Sequence, residues 1–226
     1  MNKIKLNKQF ILASGSKRRL ELLNQISIKP DLVLTPDINE TNYSKELPLN
    51  YVKRMSVEKN KVFQTKYSQS IILTADTVVS LGRRILPKTI NLKMAKECLQ
   101  LISGRRHKVL TSFALYSPDF PLKVKTIKST VKFKRLHPDE LDYYLKSKEW
   151  EGKAGGYAIQ GIAASYINFL SGSYSNVVGL PLAELYRSLL SIGYNFNNAV
   201  SYTHLRAHET PEYLGCRGGR GKKKGG

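Results

Sequence analysis

The sequence predicts an α/β (α+β) fold built on a mixed sheet, and three observations carry that expectation. Short apolar runs alternate with helical periodicities through the first half of the chain. Strand-like alternation then clusters in the second half. Of the 226 residues, 41% are hydrophobic, enough for a core in one domain or two small lobes.

Residues 9–13 are an apolar run ending at Ala13-Ser14-Gly15, the pattern of a strand. Residues 16–25 follow with leucines at 20, 22 and 23, a helical spacing, and Ser16 is placed to cap that helix. Residues 31–35 read as a second strand. Residues 49–67 place apolar side chains at 52, 55, 62 and 63 among charges, as an amphipathic helix does. Residues 70–75 are apolar enough for a buried strand, and 77–86 read as a hairpin turning at Gly82. A helix over 91–102 stops before Ser103-Gly104, and 107–116 and 123–135 alternate like two long strands. His137-Pro138-Asp139-Glu140 opens a helix with proline in its first turn, running to about Lys148. After a glycine-rich stretch from Gly152 to Gly161, residues 162–170 read as a strand and 181–192 as a helix stopped by Gly193.

The chain carries 37 basic and 17 acidic residues, a net charge of +20. Such a field attracts polyanions: nucleic acid, anionic membrane surfaces or phosphorylated small molecules. The basic residues are scattered, so drift toward a Lys-, Asn-, Ile- and Tyr-rich composition accounts for the excess equally well. No apolar run reaches the roughly 18 residues of a membrane span, and Phe10–Ala13 is too short for a signal peptide. Cys98 and Cys216 fit no metal spacing and no disulfide framework, which suits a reducing cytoplasm. The folded body is expected to span residues 1–198. Residues 199–226 form a basic, glycine-rich tail, read as disordered or as an accidental extension. Its stretch from Val200 to Thr210 resembles translated adapter sequence. A basic arm for nucleic acid is the competing reading.

Six sequence features bear on chemistry. Ser14-Gly15-Ser16-Lys17-Arg18-Arg19 joins a strand to a helix N-terminus, where backbone N–H groups and the helix dipole favour an anion. Arginine adds bidentate donors for phosphate. The alternative is a capped helix with a solvated basic first turn. Asp76, in Thr74-Ala75-Asp76-Thr77, follows a buried strand, where α/β sheets gather ligands. A carboxylate there could accept a proton from water or hold a metal, or simply start a turn. Glu40, in a polar loop, could share a divalent cation with Asp76, or face water. Lys59 and Lys88 are adequate point charges for phosphate, though spacing alone does not single them out. Between Trp150 and Gly161 the glycines imply close backbone approach, and Gln160 could both donate to and accept from a base edge. His107, after Ser103-Gly104-Arg105-Arg106, reads as a structural hydrogen-bonding residue rather than an acid or base.

These pieces fall in one order: Ser14–Arg19, Asp76-Thr77, Ser103–His107, then Trp150, Lys153-Ala154-Gly155 and Gln160-Gly161, and last the run 173–181. In that order they resemble the Maf family of nucleotide pyrophosphatases, over about residues 9–192. The resemblance implies a two-lobed mixed sheet with flanking helices and a central cleft, like the inosine triphosphate pyrophosphatases. It implies hydrolysis of nucleoside triphosphates to monophosphate and pyrophosphate with a divalent metal, Mg2+ or Mn2+, and a homodimer. By position, Asp76 matches the general base. Arg18, Thr77 and Gln160 match positions of substrate choice. Glu40, Lys59 and Lys88 match cleft residues for metal and phosphate, with Ser14, Ser16, Arg18 and Arg19 as the phosphate loop and Glu40 and Asp76 as the metal carboxylates. Asp76-Thr77 looks like the dTTP/UTP branch, whereas the 7-methyl-GTP branch tends to show Asp-Gln. That branch, and a non-enzymatic nucleic-acid-binding or septum-associated protein, are the alternatives. The sequence departs from the family at Lys17, usually proline, at Pro87 and Thr89 around Lys88, at Asn91 for a frequent Asp, and at Asn60 for a frequent Ala.

Overall fold

The structure is a computed structural model and describes residues 8–196. Both Cys216 and the expected tail, 199–226, lie outside the described residues. One seven-stranded sheet runs in the order β2-β1-β3-β5-β6-β7, with β4 pairing the far end of β3. Strands β1 (Phe10–Ala13) and β2 (Leu32–Leu34) pair in parallel, as do β1 and β3 (Ile71–Leu81). The rest is antiparallel: β4 (Arg84–Leu86), β5 (Arg106–Ser117), β6 (Phe120–Phe133) and β7 (Ile167–Ser171). The mixed sheet expected from the sequence is therefore present.

Alternation along the strands sends successive side chains to opposite faces. On one face Leu12, Leu73, Ala75, Val79, Val109 and Phe113 join the main core. Helices α1 (Lys17–Gln25), α3 (Leu92–Ile102), α4 (Pro138–Ser147) and α6 (Leu182–Ser191) add Leu22, Leu23, Leu99, Leu145 and Leu189 to it. On the other face lies the long helix α2 (Pro48–Gln64), whose Tyr51, Val52 and Met55 cluster with Val78 and Leu110. Asn60 of α2 is fully buried and donates to the carbonyls of Ile72 and Ala114, which ties the helix to the sheet by buried hydrogen bonds.

The structure differs from the sequence expectation in four places. Strand β3 does not end at Ala75 but runs to Leu81, because β5 pairs with it continuously from Ile72 to Ser80. Residues 162–166 are a 3-10 turn, and only Ile167–Ser171 pairs as a strand. A short helix α5 (Tyr174–Val178) was not expected; Ser173 caps it by accepting from the Asn176 N–H at 3.2 Å. Ser16 occupies the N-cap position of α1 but makes no side-chain cap bond. By contrast, Asn91 does cap α3, accepting from Met94 N–H at 2.9 Å.

Candidate active site

The sheet forks at β3. On one side of that strand β1 pairs only as far as Thr74, and β4 begins only at Val79. Between them Ala75–Val78 has no strand on that side, while β5 holds the other side. The loop after β1 and the loop after β4 both leave the sheet at this gap. A cleft of about 540 Å3 opens there. Asp76 and Thr77 are thus mid-strand residues at a fork, not residues after a strand end. Being neighbours in a strand, they point to opposite faces: Asp76 toward α2 and Thr77 toward α5.

All ten residues expected from the sequence to meet substrate, phosphate or metal line this cleft: Ser14, Ser16, Arg18, Arg19, Glu40, Lys59, Asp76, Thr77, Lys88 and Gln160. Lys59 is the hub of the α2 side. Its buried Nζ lies 2.6 Å from Asp76 Oδ1 and 2.6 Å from Glu40 Oε1. Lys88 completes the chain by donating to Glu40 Oε2. Burial pushes the Glu40 carboxyl up, but hydrogen bonds from Lys59 and Lys88 outweigh it and hold the group at about 2. Asp76 is 2% exposed, so a charge-bearing group has been taken almost wholly from water and matched with one ammonium.

The Ser14–Arg19 loop is fixed differently. Arg19 Nε donates to the Gly179 carbonyl at 2.8 Å, and its two terminal nitrogens reach Ser14 Oγ at 2.8 Å and Thr77 Oγ1 at 3.1 Å. Thr77 Oγ1 is also 3.0 Å from Thr111 Oγ1, which donates to the Asn176 carbonyl at 2.9 Å. Arg19 therefore ties loop, strand and α5 together. Burial pushes its pKa down, with Asp76 opposing. Arg18 is also lowered, chiefly by burial. It lines the cleft beside Lys17 with no acidic residue in the first turn of α1, so this helix start has cations and no anion of its own. Gly15 sits against Thr35, whose Oγ1 would be 3.2 Å from a Cβ there.

The opposite wall is the glycine-rich segment. It is stitched to the Lys88 loop by a bridge between Lys88 and Ala154 and by three backbone bonds: Thr89 N–H to the Lys153 carbonyl, Gly152 N–H to the Thr89 carbonyl, and Gly155 N–H to the Pro87 carbonyl. Thr89 is buried and donates through Oγ1 to the Trp150 carbonyl. Gly155 has φ +67° and packs on Val79, 2.8 Å from where a Cβ would be. His107 lies behind this wall with Nε2 2.8 Å from the Tyr157 hydroxyl, and burial lowers its pKa to about 4. That is the structural role expected of it.

Lys153 is the cleft residue that sequence reasoning quoted without assigning. It lines the cavity, and burial together with the nearby Arg18 lowers its pKa. The signal was there: it is the only charged residue between Gly152 and Gly161. In all, Lys17, Arg18, Arg19, Lys59, Lys88 and Lys153 face three carboxylates, Glu40, Asp76 and Glu151, around one cavity. This arrangement suits a polyanionic ligand met by a single buried carboxylate. Among the described residues no cluster of three His, Cys, Asp or Glu side chains is placed to hold a metal, and no helix is long and apolar enough to cross a membrane.

Comparison with known proteins finds one matching family profile and a set of similar sequences. The profile of a family described as Maf-like protein matches residues 9–192. A dTTP/UTP pyrophosphatase of Zymomonas mobilis is 52% identical over 85% of this chain and 95% of its own length. A protein of the same name from Wolbachia of Drosophila simulans is 50% identical over 83% of this chain and 94% of its own. A nucleoside triphosphate pyrophosphatase of Anaplasma phagocytophilum is 48% identical over 78% of this chain and 91% of its own. Among solved structures, a HAM1 protein from Coxiella burnetii aligns with a TM-score of 0.48 and 14% identity, covering 80% of this chain and 98% of that one.

Proposed function

The chain belongs to the family of Maf-like proteins, and on that premise we propose how its cleft performs the hydrolysis of a nucleoside triphosphate. The enzyme converts the triphosphate to the nucleoside monophosphate and pyrophosphate, with dTTP and UTP favoured, in line with the names of its relatives. One observation carries the site reading: Asp76, buried at the fork of β3 and held by Lys59, is the carboxylate at the floor of a cavity walled by six cations.

The triphosphate lies across the Ser14–Arg19 loop. Ser16, whose hydroxyl is not spent on capping α1, and the first-turn N–H groups face phosphate oxygens. Arg18, Lys59, Lys88 and Lys153 spread its charge, while Arg19 holds Ser14 and Thr77 in place. Asp76 accepts a proton from a water as the water oxygen bonds to the α-phosphorus. The bond from that phosphorus to the bridging oxygen breaks, and pyrophosphate leaves with the bonding pair. The surrounding cations offset the charge that develops on it. Gln160 and Thr77, on opposite walls, select the pyrimidine.

Glu40 and Asp76 fit a divalent cation, because both reach one common point, now the Lys59 ammonium. Two carboxylates with phosphate oxygens and water are an ordinary Mg2+ or Mn2+ shell. When bound, the metal would supply a further positive charge on the phosphate oxygens. The reading extends to a cytoplasmic enzyme and to a homodimer, the latter resting on the family alone. The test is pyrophosphate release from dTTP. Asp76→Asn should lower turnover by roughly three or more orders of magnitude while still unfolding in one cooperative transition, and a chelator should abolish release. Parental turnover in Asp76→Asn refutes the assignment of Asp76.

A further inference from the structure

The turn that carries Gln160 is held from behind, and the hold depends on one carboxylate. Glu149 lies just past α4, after Lys148, whose φ of 59° swings the chain out of the helix. The Glu149 N–H donates to Ser147 Oγ at 3.2 Å. Its Oε2 accepts the N–H of Ile162, the first residue of the 3-10 turn, at 2.8 Å. The same carboxylate lies against Gly161: a Cβ there would be 2.0 Å from Oε2 and 2.5 Å from Cδ. On the other side of Gln160, the Ala158 N–H donates to the Tyr144 hydroxyl at 3.3 Å, and the Gly161 N–H closes the turn on the Ala158 carbonyl at 3.2 Å. Two side chains from one segment, Tyr144 and Glu149, thus pin both ends of the turn, with Gln160 exposed between them on the cleft.

We propose that Glu149 is a positioning residue for base selection, its carboxylate fixing the Ala158–Ile162 turn so that Gln160 meets the base edge in one place. The inference rests on the reading of Gln160 as a base-selecting residue. A glutamine amide discriminates between base edges only if its donor and acceptor are held in place. Fixity of the Gln160 main chain is therefore a condition of its selectivity. A carboxylate on a backbone N–H at the start of a helical turn is the stronger kind of hydrogen bond, and it meets a donor the turn itself leaves unsatisfied. The three atoms nearest a Gly161 Cβ all belong to Glu149. Gly161 has φ −110°, so the steric need for glycine there comes from the carboxylate. Glu149 and Gly161 are a matched pair, and two unrelated substitutions break the same contact.

The experiment measures kcat and KM for dTTP, UTP and GTP with the full chain. The variants are Glu149→Ala, Glu149→Gln, Gly161→Ala, Gln160→Ala and the double variant Glu149→Ala/Gln160→Ala. The dTTP-to-GTP ratio of kcat/KM should fall about tenfold in Glu149→Ala and in Gly161→Ala, through KM for dTTP. Glu149→Gln keeps an oxygen for the Ile162 N–H and should retain most of the ratio. Added to Gln160→Ala, the Glu149→Ala change should leave the ratio where the first substitution put it. A uniform loss on all three substrates in Glu149→Ala and Gly161→Ala marks a merely structural role and overturns the inference. A ratio that moves in Gln160→Ala but in neither Glu149→Ala nor Gly161→Ala also overturns it, while leaving Gln160 as the base reader. A ratio unmoved in Gln160→Ala removes that reading, and this inference with it. Should Glu149→Ala fail to fold, Gly161→Ala decides, because it keeps the carboxylate and only displaces it.

Discussion

The two walls of the cleft are built in different ways. The wall formed by β1, β3, α1 and α2 hangs its charges on regular elements: Lys59 on a helix of 17 residues, Asp76 and Thr77 on a strand of 11. Hydrogen-bonded ladders set those positions, and buried ion pairs then match the charges. The wall from Trp150 to Gly161 has no regular element. It is held by backbone bonds to the Lys88 loop and by side chains that reach in from behind: Thr89, His107, Tyr144 and Glu149. The difference teaches that damage should read out differently. A lesion on the first wall removes chemistry, whereas one on the second shifts where substrate parts sit.

The sharpest break of that contrast is Lys59→Met. It leaves Asp76 and Glu40 without their shared ammonium, so kcat should fall about a hundredfold or more and stability by roughly 3 kcal/mol. Denaturant unfolding and steady-state pyrophosphate release check both. A variant that loses neither would show the first wall to be as tolerant as the second. Next comes Gly155→Ala, which combines a φ of +67° with a Cβ 2.8 Å from Val79. It should cost about 2–3 kcal/mol and raise KM, with kcat nearly kept. A pure kcat loss would erase the distinction between the walls.

Thr89→Val should be milder. It removes the hydroxyl that donates to the Trp150 carbonyl, and about 1–2 kcal/mol with a modest KM rise is expected from unfolding and kinetics. The last effect is a pH dependence behind the second wall, seen only on acidification. In the fold His107 stays neutral down to about 4, against an ordinary 6.5, because burial opposes its charge. The unfolded chain takes up that proton first. The associated stability is therefore complete above pH 6.5 and drains away as pH falls toward 4, by at most roughly 3 kcal/mol. His107→Gln should flatten the melting temperature over that window. Glu40, held at about 2 rather than 4.5, has the carboxylate sense: its contribution is complete above about 4.5 and fades as pH falls toward 2. The two windows meet near pH 4 to 4.5, so a loss between pH 6.5 and 4.5 belongs to the histidine side.

Much of the fold was legible because periodicity is local. Leu20, Leu22 and Leu23 define α1, Val52 and Met55 place α2 on the sheet, and Asn91 and Pro138 mark helix starts, all within a few neighbours. The 3-10 turn at 162–166 escaped that logic. Its short apolar run looks like a strand until a carboxylate thirteen residues back takes the Ile162 N–H. The continuity of β3 escaped it too: 70–75 and the hairpin 77–86 read as separate elements, and only the pairing with β5 carries one strand through Asp76.

By itself the sequence determined the chemical inventory: a strand-to-helix loop with two hydroxyls and three cations, a carboxylate at Asp76, and one lysine among glycines. Those are properties of residue type and short spacing. Only the tertiary structure decided that β1 and β4 leave a gap along β3, that Lys59 bridges Glu40 and Asp76 from 19 and 17 residues away, and that Arg19 holds the loop by bonds to Thr77 and Gly179. Each of these is a long-range pairing set by strand register and core packing, and the chain announces neither until it has folded.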